Sequence, residues 1–168
     1  MSNPRGEALP RFHDGLVIEQ TGWRSSRAEW KTLSPLHYSH RDGLLVIPHK
    51  FITDLASVPR LPIAWLVAGG MGNRAAVVHD FAYQFTVLQY EIDGELVERE
   101  LSRQQADRLF REALKADPWG GTNVVTRFVM WSAVRLLGAF AYRRKRKRAR
   151  ELNPIWTRDG LPPTPTPS

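Results

Sequence analysis

In the segment AAVVHDFAYQF (75–85) two ionisable residues, His79 and Asp80, stand side by side among apolar and small ones, and no further charged residue occurs between Ala75 and Tyr90. An imidazole can take a proton from water if a carboxylate holds its ring in place. On a helical wheel turning about 100° per residue, Val78, Phe81, Phe85 and Leu88 form one broad apolar face. His79, Tyr83 and Thr86 take the opposite side with Ala75 and Ala76, and Asp80 points about a quarter-turn from His79. A helix that is apolar or small nearly all round is buried on most sides. An unpaired charge there costs several kcal/mol or shifts its pKa until it is neutral, so both groups need partners.

The partner for His79 comes from a second helix. Ser102 with Gln105 has the spacing of a capping box, opening the helix QQADRLFREALKA (104–116). Its apolar face is Ala106, Leu109, Phe110, Ala113 and Leu114, with Asp107 at the edge. The Asp-Gly turn in EIDGELVE (91–98) predicts a short hairpin between the two helices, which makes them antiparallel neighbours. Asp107 then reaches the imidazole, fixing its tautomer and leaving the other ring nitrogen to act as a general base. Asp80, turned aside, could hold a hard cation that polarises a carbonyl. The plainer alternative for these residues is a polar network that only pins two helices together.

HDFAY (79–83) followed by ADRLF (106–110) resembles the catalytic helix pair of the phospholipase A2 group, in particular the viral capsid-borne type. That resemblance implies a hydrolase of phospholipid esters in which His79 activates water and Asp80 ligates calcium. It also implies that Asp107 and Tyr83 orient His79. A wider set of blocks is similar to a family of unknown function from tailed phages and prophages. These are F-x-TDLASVP (51–59), Trp65, AAVVHDFAY, AD-x-x-F and MWSAVRLLG (130–138). That likeness places Thr53, Asp54 and Ser57 with the His79 site, with Asp54 as a further oxygen ligand for calcium. It also keeps open a non-enzymatic role as a virion or tail-associated protein with phage structural proteins as partners, made in the host cytoplasm.

The elements that must position these groups follow from pattern. Residues 1–15 read as an irregular arm, 16–142 as a single α+β domain, and 143–168 as a basic run followed by a disordered Pro-rich tail. GLVIEQ (15–20) and EWKTL (29–33) read as strands, and PLHYSHRDGLLVIP (35–48) as two strands joined at His40–Gly43. Pro59 and Pro62 forbid a long regular element after Phe51. GGMGN (69–73) leads into the His79 helix, which the wheel extends to about Gln89. A last helix covers 124–142. The expectation is a small antiparallel N-terminal sheet followed by three helices.

The absence of cysteine excludes disulfides, iron–sulfur clusters and thiolate zinc sites. His13, His37, His40 and His49 lack ligand spacing and read as structural. GGMGN lacks the spacing and lysine of a phosphate-binding loop. The segment 124–142 is long enough to span a bilayer, but Arg127 and Arg135 share one side with Trp131, the pattern of a helix packed on a core. The formal charge of +7 is local: the run 143–150 carries seven basic residues, and the rest has 17 basic against 17 acidic. Arg143, Arg144, Lys145, Arg146, Lys147 and Arg148 form a candidate anion-binding cluster for an anionic membrane surface or nucleic acid. A solvated helix end, favoured by the macrodipole, is the alternative.

Overall fold

Residues 10–24, 27–55, 72–85, 87–116, 124–125, 127–132, 134–135 and 142 are described by a computed structural model. Eight strands and two helices take shape among them: β1 (Arg11–Phe12), β2 (Ile18–Arg24), β3 (Arg27–Thr32), β4 (Leu36–His40), β5 (Gly43–Ile47), β6 (Ile52–Thr53), α1 (Asn73–Gln84), β7 (Val87–Ile92), β8 (Glu95–Glu100) and α2 (Arg103–Ala116). Residues 124–125, 127–132 and 134–135 form a third helical stretch. The architecture is α+β, as expected. No helix among the described residues is long and apolar enough to cross a membrane.

Every strand pair is antiparallel. One sheet has the order β1-β4-β5-β7-β8 and the other β2-β3-β6. Alternation sets the buried side: Leu36, Tyr38 and His40 of β4 and Leu45 and Ile47 of β5 point into the core, with residues between them half-buried. The hairpin between β7 and β8 turns on Asp93 (φ 53°) and Gly94 (φ 82°). Two successive positive φ angles match the strand twist, which is why Asp-Gly marks this corner.

Two expectations are corrected by the structure. The arm before residue 16 contributes β1, whose Phe12 pairs with Tyr38 and is buried in the core. More instructive is α1, which stops at Gln84 instead of continuing to Gln89. Phe85 is already extended (φ −112°, ψ 130°), and its N–H closes the last turn on the Phe81 carbonyl at 3.0 Å. From Val87 the chain joins the sheet, with Leu45 opposite Tyr90 and Leu88 opposite Arg99. Leu88 fits both a helical face with Phe81 and Phe85 and a strand face with Tyr90. Pairing on both edges of β7 decides for the strand.

α1 is the centre of the molecule. From Arg74 to Gln84 every residue is buried, so the helix is enclosed on all sides, whereas α2 buries only Ala106, Asp107, Leu109, Phe110, Ala113 and Leu114. The capping box at the start of α2 is formed: Ser102 N–H donates to Gln105 Oε1 at 2.8 Å, and Gln105 N–H donates to Ser102 Oγ at 3.3 Å. α1 begins differently, from Gly72 in the left-handed region (φ 80°, ψ 14°). A Cβ on Gly72 would lie 3.0 Å from Leu114 Cδ2 and 3.1 Å from Met130 Cε, so α2 and the third helical stretch both close on this residue. Gly72→Ala combines left-handed strain with that crowding and is expected to destabilise the fold by about 1–2 kcal/mol, measured as a fall in the urea midpoint at unchanged m-value.

Candidate functional site

Asp107 is 1 % exposed, yet its carboxylate meets four donors carried by three segments. Oδ1 accepts the Tyr83 hydroxyl and lies 3.4 Å from His79 Nε2; Oδ2 lies 3.2 Å from Arg135 Nη1 and 3.5 Å from Arg103 Nη1. The helix pair thus brings His79, Tyr83 and Asp107 together as the sequence predicts. The residues that sequence reasoning did not find are Arg103 and Arg135. Arg103 had a signal, since it stands four positions before Asp107 on one helix face. Arg135 had none, because only the fold carries it to Asp107.

Electrostatics follow from these contacts. Burial alone would raise the Asp107 carboxyl, but hydrogen bonds from His79 and Tyr83, the charge of His79 and the Arg135 bond outweigh it and hold it below the ordinary carboxylate value. Burial pushes the Tyr83 hydroxyl up, and its bond to the Asp107 carboxylate pushes the same way, so Tyr83 stays a neutral donor. His79 packs between aromatic rings, 3.9 Å from the Tyr83 ring centroid and 4.8 Å from that of Phe110. An ionised Asp107 favours the proton on Nε2, leaving the lone pair on the buried Nδ1.

Asp80 turns to a different neighbour. It is fully buried, and its Oδ2 accepts the Thr53 hydroxyl at 2.5 Å; Thr53 Oγ1 in turn accepts the Leu55 N–H at 3.1 Å. This chain ties α1 to β6 and holds Leu55 at φ 48°. Thr53 therefore belongs beside the site, and the half-buried Asp54 follows it. Calcium takes about six to eight oxygen ligands. Among the described residues no group of three or more His, Asp or Glu side chains is placed to hold a metal ion, and Asp80 already spends an oxygen on Thr53. Ser57, Trp65 and the cluster from Arg143 to Arg148 lie outside the described residues.

The remaining histidines are built into the sheet side. His37 takes Asp14 Oδ2 at both its backbone N–H (2.8 Å) and Nδ1 (2.5 Å), and His13 Nε2 meets Ser39 Oγ at 2.7 Å. His40 is 3 % exposed, between the rings of Tyr38 and Tyr90. Burial lowers its pKa from 6.5 to about 4 against the raising effect of Asp42, with Arg41 and Arg99 also lowering it.

Residues 30–134 match the family described as "Protein of unknown function (DUF1353)". That span contains Thr53, His79, Asp80, Tyr83, Arg103 and Asp107 and ends one residue before Arg135. No curated protein and no solved structure matches the chain.

Two outcomes are expected. Asp107→Asn removes the only negative charge among four donors, and is expected to cost about 3 kcal/mol, the low end for a broken buried pair because both arginines reach solvent; chemical denaturation at pH 7 measures it. His40 is neutral in the fold at a pH where the unfolded chain is protonated. Its contribution to stability is therefore complete above about 6.5 and falls as pH drops toward about 4. Stability measured across that window should fall less steeply in His40→Gln than in the wild type.

Proposed function

Because the chain belongs to the DUF1353 family, a family of unknown function, we propose its activity from the site itself: a phospholipase A2-like hydrolase of phage type, in which His79 activates water against a phospholipid ester. The observation that carries this reading is Asp107 set on Nε2 of His79 from a neighbouring helix, with Tyr83 on the same carboxylate oxygen. Nδ1 is then the nitrogen that takes a proton from water as its oxygen attacks the ester carbonyl. The same proton passes to the leaving alcohol as the acyl C–O bond breaks. Asp107 and Tyr83 are positioning residues: they hold the ring in one tautomer and stabilise it when it becomes positive. No step is routed through a metal; calcium, if bound, would polarise the ester carbonyl from Asp80 and Asp54. The basic residues 143–150 supply a charge that would draw the enzyme to anionic lipid.

A second reading is favoured by burial. His79 and Asp107 are each 1 % exposed, so water and substrate reach Nδ1 only if the surrounding protein yields. In that reading the network joins α1, α2 and the third helical stretch in a non-enzymatic phage virion or tail-associated protein.

Release of fatty acid from mixed phosphatidylcholine–phosphatidylglycerol vesicles separates the two. The hydrolase reading expects release by the wild type and a drop of about 10²-fold or more in a folded His79→Gln variant. Parallel runs with added calcium and with a chelator report the metal dependence. A folded wild-type protein with no release at any calcium level would leave the structural reading standing.

A further inference from the structure

Arg103 opens α2, and Arg135 lies in the third helical stretch, yet both place Nη1 on the same oxygen of Asp107, at 3.5 and 3.2 Å. Arg103 Nη1 also lies 3.4 Å from the Arg135 carbonyl, so the two residues are tied to one another as well as to the acid. Two like charges are held side by side, and among the described residues a single buried carboxylate is the acid they share. The other oxygen of that carboxylate is taken by the Tyr83 hydroxyl and His79, so Asp107 has no further capacity for the excess. Over these three described side chains the charge is one positive unit over, and it faces outward: the side chains of Arg103 and Arg135 are 27 % and 37 % exposed, against 2 % for Asp107. Each guanidinium carries five N–H donors and these contacts use one nitrogen of each, which leaves donors on both for a ligand. The start of α2 adds the positive end of a helix dipole at Arg103.

Paired guanidinium groups with an uncompensated charge recognise an oxyanion that can bridge them, above all a phosphate. We propose that Arg103 and Arg135 form an anion subsite for a phosphate group, held in place by Asp107. The inference rests on the hydrolase reading in one respect: there, the phosphate is that of the phospholipid whose ester meets His79. Base and anion subsite then share one carboxylate, His79 on Oδ1 and the arginines on Oδ2. Asp107 so becomes the element that spaces the reacting ester from the phosphate.

Calorimetric titration with inorganic phosphate at constant ionic strength tests the subsite without any need for turnover. Saturable binding is expected for the wild type. Loss of one charge-assisted contact should weaken it about tenfold in Arg103→Gln and in Arg135→Gln. Arg108→Gln, an exposed arginine on the same helix, should leave it unchanged. The nitrogen and proton shifts of the arginine Nε–H groups report the same event in the unmutated chain, which covers the case in which a variant fails to fold. A parallel titration with glycerol phosphate and with short-chain phosphatidylglycerol tells a free phosphate from a lipid headgroup as the source. Absence of saturable phosphate binding, or equal weakening in Arg108→Gln, overturns the inference. Phosphate binding without ester hydrolysis would remove the hydrolase reading and leave the subsite intact, while hydrolysis without phosphate binding would do the reverse.

Discussion

A single buried carboxylate organises the helical half of this protein. Asp107 could not be left ionised in that position without compensation, since an isolated buried charge costs several kcal/mol. Its four donors come from α1, from α2 itself and from the third helical stretch, and those three segments are thereby held at fixed separations. Hydrophobic burial brings the helices together, with Phe110, Leu114 and Met130 in the shared core, but apolar contact is indifferent to small rotations. The carboxylate is not. It accepts only arrangements that keep His79, Tyr83, Arg103 and Arg135 within reach at once.

The sheet serves the same end from the other side. α1 is enclosed, so almost every side chain on it needs a partner, including Arg74, His79 and Asp80. Thr53 of β6 takes Asp80, and Gln84 donates to the Ile52 carbonyl at 3.1 Å, so the short strand β6 binds both faces of the polar problem. Phe51 packs edge-on to Phe81 close by, with ring centroids 5.2 Å apart. Structural demands therefore fall on the same residues that the proposed reaction would use. A His–Asp step inside a closed core must first be satisfied before it can do anything else.

That overlap explains how far the site was legible beforehand. The residue types near His79 announced the need for partners, and the capping-box helix with Asp107 at the edge of its apolar face was the one suitable supplier. Thr53, the first residue of the TDLASVP block, is coupled to Asp80. The two arginines on Oδ2 were missed for different reasons. Arg103 is a spacing on one helix, visible to a helical wheel but unweighted there. Arg135 reaches Asp107 across 28 residues of chain, and no local pattern encodes such a meeting.

The chain by itself determined what its local chemistry can determine. Alternation made the hairpin of β4 and β5, Asp-Gly placed the turn of β7 and β8, Ser102 and Gln105 started α2, and the apolar and small residues around His79 and Asp80 marked α1 for the interior. These depend on neighbours a few residues apart, and the sequence states them directly. Only the tertiary structure decided where α1 ends, because Leu88 suits a helix and a strand equally until β5 and β8 pair with its segment. Only the tertiary structure set Asp107 between one imidazole, one phenol and two guanidinium groups. Long-range packing chooses among local possibilities that are nearly equal in energy, and that choice is absent from any single stretch of the chain.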